Sequence, residues 1–111
     1  MDVDNLNTNT LKSDFSKYKK ELLELNKYMY KNPELGYQEV KSVDKITKLI
    51  QKFVIDAKFK KFNEIPTAFS ASFNKRTSKK DIAICIEYDA LPNIGHACGH
   101  NLISSIGLGA F

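Results

Sequence analysis

The residues able to do chemistry in this chain are concentrated in one place. Both of its histidines and one of its two cysteines lie at His96, Cys98 and His100. Imidazole and thiolate are good ligands for Zn²⁺ and similar divalent ions. The i, i+2, i+4 spacing puts all three on the same side if the backbone there is extended. Gly95 and Gly99 permit the turns that such a loop needs. Glu87 and Asp89, just upstream, could be ligands or could orient one. From residue types alone three readings stay open: a metal site, a reactive thiol at Cys98, or a structural loop whose histidines are satisfied internally. A complete zinc site needs about four ligands, and this loop supplies two or three of them.

The elements that must position these groups follow from pattern. Ile82-Ala83-Ile84-Cys85-Ile86 is apolar on both faces, as in a central strand covered on both sides. Cys85 reads as a buried small hydrophobe there. The segment from Leu102 to Phe111 mixes Leu and Ile with Ser104, Ser105, Gly107, Gly109 and Ala110, which predicts a helix packed closely on a sheet. Strand, polar loop, then helix is a frequent layout of an α/β active site. Upstream, Leu11, Phe15, Tyr18, Leu22, Leu25 and Met29 form one apolar helical stripe. Asn32-Pro33 ends it, because proline disfavours helical backbone at the preceding residue. A second helix is expected with Val40, Val43, Ile46, Ile50 and Phe53 inward and Glu39 in its first turn, where a carboxylate suits the dipole. Lys58 to Phe62 reads as a short edge strand. Beyond Pro66 the alternation of Phe69, Ala71 and Phe73 with Ala68, Ser70 and Ser72 predicts another strand. Asn74 to Asp81 reads as a polar, basic loop.

Bulk properties narrow the class. A chain of 111 residues suits one small domain. No apolar run reaches the roughly 20 residues of a membrane helix. The polar, acidic N-terminus is not a secretory signal, so a cytoplasmic, reducing location with unpaired cysteines is expected. The net charge of +4 comes from lysines scattered over helix faces and the Lys75-Arg76, Lys79-Lys80 loop, which predicts no nucleic-acid partner and no membrane partner. The first ten residues read as a disordered lead-in and residues 11–111 as the folded part. The last helix stops at Phe111 without a cap, as expected of a truncated domain.

At this point the motifs become familiar. Glu87-Tyr88-Asp89-Ala90-Leu91-Pro92 followed by Gly95-His96-Ala97-Cys98-Gly99-His100-Asn101-Leu102 resembles the metal-binding segment of the metallo-amidohydrolases of metallopeptidase family 20, which include aminoacylases, hippurate hydrolase, indole-acetyl-amino-acid hydrolases and aminobenzoyl-glutamate hydrolase. Asn32-Pro33-Glu34-Leu35-Gly36-Tyr37-Gln38-Glu39 resembles the family's N-terminal helical corner, and Pro66-Thr67-Ala68-Phe69 its intervening strand. The resemblance implies an α/β fold: a helical hairpin packed on a mixed sheet, forming the N-terminal portion of a catalytic domain whose lid domain is absent. It implies two divalent ions, zinc or manganese, that polarise an amide carbonyl and activate water, and a small N-acyl amino acid or dipeptide as substrate. By match to the motif, Cys98 and His100 are expected as metal ligands, and Asp89 as the catalytic-site aspartate that orients a ligand. His96 has no firm counterpart. Glu87 stands where many relatives carry a ligand histidine, Tyr30 where many carry a histidine, and Asn101 where many carry aspartate. Full-length relatives are expected to be homodimers. The family's general-base glutamate and remaining ligands lie downstream of this motif, so the chain alone is expected to be inactive. The alternative is a stand-alone, non-catalytic metal- or partner-binding module. A thiol enzyme using Cys98 would lack any base outside the same loop.

Overall fold

Three helices and a two-stranded antiparallel sheet make up the computed structural model, which describes residues 8–73 and 80–111. The class is mixed α/β, as the sequence patterns require. Most of the expected lead-in over 1–10, and most of the basic loop over 74–81, lie outside the described residues.

Helix α1 spans Thr8–Lys31. The C-terminal half of its apolar stripe is buried, with Leu22, Leu25 and Met29 in the core. Its N-terminal half is not: Leu11 and Phe15 are about half exposed, at 52% and 47%. The helix stops where Asn32 caps it, its backbone N–H and its Nδ2 both donating to the Tyr28 carbonyl, at 2.9 and 2.8 Å. Pro33 then carries the chain into a corner, in which Tyr37 takes a left-handed φ of 67°.

Helix α2 spans Val40–Phe53. Ile46 and Ile50 face the core, whereas Val40, expected inward, is 67% exposed. The carboxylate serving its N-terminus is also not the expected one. Glu39 sits at the N-cap position without a side-chain cap. Instead the Lys41 N–H donates to Glu34 Oε2 at 2.9 Å, while the N–H and Oγ–H of Ser42 donate to Glu34 Oε1 at 2.7 and 2.8 Å. Burial pushes the Glu34 carboxyl upward, and the hydrogen bonds from Lys41 and Ser42 outweigh it, holding the group below its ordinary value. A carboxyl lowered in the folded state stabilises above its unfolded pKa and loses that contribution as pH falls through its folded value. Glu34→Ala is expected to cost about 0.5–2 kcal/mol at neutral pH, the usual range for a lost cap. Urea midpoints should show the gap between variant and parent narrowing as the pH falls below the carboxylate range.

Strands β1 (Lys58–Phe62) and β2 (Ile65–Ser72) form a hairpin with a register shift at Lys61/Phe62. Phe69 and Ala71 pack toward the core, while Ser70 and Ser72 face outward. The core itself is Leu25, Met29, Ile46 and Ile50, with Phe59, Phe69, Ile86, Tyr88 and Leu108 against it.

Ile82 to Ile86 pairs with no strand among the described residues, contrary to the expected central strand. Ile82 is 92% exposed and Ile84 42%, and Cys85 is exposed rather than buried. A run apolar on both faces needs strand partners on its edges and cover on both sides. Here cover comes from one side, where helix α3 (His100–Ala110) approaches closely. A Cβ added at Gly107 would lie 2.3 Å from Ile86 Cγ2 and 3.4 Å from Ile84 Cγ2. Gly107→Ala is therefore expected to destabilise by about 1–3 kcal/mol, as overpacking does. Gly36→Ala is the control: nothing lies within 4 Å of the added carbon, and a shift within about 0.5 kcal/mol is expected in a thermal melt.

Candidate metal-binding half-site

The candidate site is built by two docking events. In the first, the corner before α2 seats on the segment after Ile86. The Ala90 N–H donates to the Glu34 carbonyl at 2.7 Å, within a parallel bridge between Leu35 and Ala90. Thus Glu34 ties the corner together twice, by its side chain to α2 and by its backbone to the site. In the second, α3 docks on α1. The Asn101 Nδ2 donates to Asn26 Oδ1 at 2.8 Å, and the Ser104 hydroxyl donates to the Glu87 carbonyl at 2.5 Å. Asn101 and Ser104 are buried, so these bonds are made where water does not compete.

Between these anchors the chain turns sharply. Leu91 and Gly95 exchange backbone hydrogen bonds around Asn93, whose φ is 67°. Gly95 and Gly99 have φ of 63° and 76°. Gly99 sits at the N-cap of α3, and its left-handed backbone turns the loop into the helix at His100.

This geometry corrects the extended-backbone expectation for the three candidate donors. His96, Cys98 and His100 do not share one side. His96 is buried at 7% exposure, Cys98 is exposed, and His100 is intermediate. Both cysteines are free. Neither ring nitrogen of His96 has a hydrogen-bond partner among the described residues. Burial pushes its imidazole below the ordinary value, the nearby His100 adds to that, and Asp89 opposes it.

His100 is the well-organised member. Its Nδ1 lies 2.9 Å from Asp89 Oδ1 and 3.0 Å from the Asp89 carbonyl oxygen. Both are acceptors, so Nδ1 carries the ring proton and donates. That fixes the tautomer and aims Nε2 away from Asp89, toward the Glu87 carboxylate, whose Oε2 is 3.3 Å away. An imidazole held by a carboxylate through one nitrogen is the usual presentation of a metal-ligating histidine, although here the other nitrogen faces Glu87. Among the described residues no group of three or more His, Cys, Asp or Glu converges closely enough to enclose an ion. The Asp89-held imidazole of His100 has the chemistry of a single metal ligand.

Sequence reasoning missed the residues that hold this arrangement. Asn26 and Asn101 are 75 positions apart, and no spacing rule links them. Tyr88 carries no role in the motif beyond its place between Glu87 and Asp89. Its hydroxyl donates to the Thr67 carbonyl, and its ring stacks on Phe69 with centroids 6.3 Å apart. Burial, together with the Glu39 carboxylate, pushes its phenol up to about 12.

With the geometry established, the known relatives can be set beside it. No protein-family model matches the chain. It is 33% identical over 97 residues to a protein of Mus musculus named Xaa-Arg dipeptidase, and 34% identical over 97 residues to the Homo sapiens protein of that name. Those alignments cover 78% of this chain and 22% of each relative. It is 30% identical over 104 residues to the N-acetyldiaminopimelate deacetylase of Oenococcus oeni, covering 80% of this chain and 27% of that protein. The chain is similar to hydrolases. These relatives belong to metallopeptidase family 20, the family its motifs resemble. The chain spans about a quarter of the length of the curated relatives it matches. No helix among the described residues is long and apolar enough to cross a membrane.

Proposed function

We propose that this chain is the N-terminal part of the catalytic domain of a metal-dependent amidohydrolase of metallopeptidase family 20, cleaving an amide bond in a dipeptide or a small N-acyl amino acid. The observation that carries the reading is the Asp89–His100 pair at the start of α3, with Nδ1 and Oδ1 2.9 Å apart. The similarity to a dipeptidase and to an N-acyl deacetylase supports the choice of bond and substrate size.

In this reading Cys98 and His100 hold the metal. When bound, one or two zinc or manganese ions supply charge that polarises the amide carbonyl and acidifies water. The chain's own residues prepare that chemistry. Asp89 accepts a hydrogen bond from the Nδ1–H of His100 and so keeps the Nε2 lone pair outward. Gly99 turns the backbone so that Cys98 stays in solvent while His100 enters the helix. The Asn101–Asn26 and Ser104–Glu87 bonds hold the first turn of α3 against α1 and the Glu87 backbone. Alone, the chain is proposed to be inactive, because a half-site leaves the ion without the remaining protein ligands.

The test is an assay of the product of the complete reading frame, with Zn²⁺ or Mn²⁺, against a panel of dipeptides and N-acyl amino acids. Hydrolysis that disappears in Cys98→Ala and His100→Ala is expected. Hydrolysis unaffected by both substitutions would contradict the proposal.

A further inference from the structure

His100 opens α3, and little in the helix itself fixes where that first turn sits. Gly99 at the N-cap provides no side-chain cap, and a glycine constrains the entry angle least of all residues. What seats α3 is its contact with α1, whose two ends differ in kind. The far end is apolar. A Cβ added at Gly109 would lie 3.0 Å from Leu22 Cδ1 and 3.5 Å from Phe15 Cε2. The His100 end is polar, with the Asn101 Nδ2 donating to Asn26 Oδ1 at 2.8 Å. Since Asn101 meets Asn26 while Gly109 meets Leu22 and Phe15, the two helices run antiparallel.

The two ends constrain different things. Apolar burial is non-directional. It keeps α3 against α1 but fixes its height and rotation only loosely. A hydrogen bond holds donor and acceptor about 2.7–3.2 Å apart. A polar pair buried between helices therefore selects one register, as an asparagine at an a position does in a coiled coil. Asn101 is 5% exposed, so its amide would find no water if the pair slipped.

That register matters because the partner of His100 lies on neither helix. Asp89 belongs to the segment after Ile86, which is seated on the corner at Glu34. Ser104, one turn beyond His100, ties α3 to that segment at the Glu87 carbonyl. A single bond is a pivot, and the Asn101–Asn26 bond is the second point that stops α3 turning about it. A slip of one residue moves a helix by about 1.5 Å, enough to break the 2.9 Å contact between His100 Nδ1 and Asp89 Oδ1.

We propose that Asn26 is a positioning residue. Through Asn101 it sets the register of α3 on α1 and so places the His100 ring on Asp89. The consequence for metal binding rests on the reading of His100 as a ligand, whereas the placement of the ring does not.

Two readouts on the whole 111-residue chain separate these claims. The first needs no metal: nuclear Overhauser contacts from the His100 ring protons to the Asp89 methylene, with His100→Ala identifying the ring signals. The parent is expected to show them. Asn26→Ala adds no bulk and suits a helix, so its circular dichroism should stay that of the parent, while the contacts weaken or vanish. Asn101→Ala is a second route to the same result. The double variant should be no worse than either, because all three lose one bond. Asn26→Asp keeps an acceptor for the Asn101 amide and should restore the contacts. The second readout is Zn²⁺ affinity by competition with a chromophoric chelator. It is expected to fall about 10-fold in Asn26→Ala, the low end of the range for groups that support a ligand, and to recover in Asn26→Asp. A residue that only stabilised the fold would lower the melting temperature and move neither readout in the folded chain. Parent-like ring contacts in Asn26→Ala and Asn101→Ala would therefore overturn the proposal. Zn²⁺ uptake absent from the parent, or unchanged in His100→Ala, would overturn the reading of His100 as a ligand and leave the ring contacts to decide the role of Asn26.

Discussion

Ile46→Ala will cost the fold about 2–5 kcal/mol, the range for truncating a fully buried aliphatic side chain. Ile46 has no exposed surface and lies in the cluster with Leu25, Met29 and Ile50. That cluster is small, and it is where α1 and α2 meet Phe59, Phe69, Ile86 and Tyr88 from the hairpin and the segment leading into the site. Collapse around the lost atoms is limited, because the Asn32 cap and the Glu34 network fix the corner between the two helices. The measurement is chemical denaturation with the slope checked. A lower midpoint at constant slope is expected. A stability within about 0.5 kcal/mol of the parent, the range of surface substitutions, would show that this cluster is not the core.

The second large effect is at Asp89. Asp89→Ala is expected to weaken Zn²⁺ binding about 10–100-fold while leaving the melting curve of the metal-free chain close to the parent's, since removal of an orienting carboxylate acts through its ligand. The side chain is partly exposed, at 39%, and its partner is His100 Nδ1. The Asp89 carbonyl also accepts from Nδ1, at 3.0 Å. That second acceptor is part of the backbone and survives the substitution. The variant should therefore keep some orientation of the ring, and its loss should be smaller than that of His100→Ala. Isothermal titration with Zn²⁺ on the parent and both variants gives the ordering. Equal losses in Asp89→Ala and His100→Ala would mean that Asp89 does more than orient the imidazole.

The fold's helices and its hairpin were legible because they rest on local signals. Leu22, Leu25 and Met29 recur at helical spacing, Pro33 ends α1, and Phe69 and Ala71 alternate with serines along β2. The exposed part of the α1 stripe was not legible, since period tells which face is apolar but not what is there to cover it. The same holds for Ile82 to Ile86. Its composition asked for strand neighbours that the described residues do not supply.

At the site, residue identities were readable and orientations were not. The spacing of His96, Cys98 and His100 suggested one shared side. The left-handed turns at Gly95 and Gly99 break the extended backbone that this reading assumes, and His96 is buried while Cys98 stands in solvent. The nearness of Glu39 to α2 suggested a dipole partner. Yet the corner, with Tyr37 at φ 67°, buries Glu39 and delivers Glu34 to the helix end. Choices of this kind depend on one residue's φ, which no apolar period records.

Metal content of the purified chain tests the central claim most directly. Wild type, Cys98→Ala and His100→Ala would be dialysed against Zn²⁺ or Mn²⁺ and then against metal-free buffer, and the retained metal counted by elemental analysis. The account predicts retained metal in the wild type and its loss in both variants. Metal retained equally by all three, or by none, would contradict it.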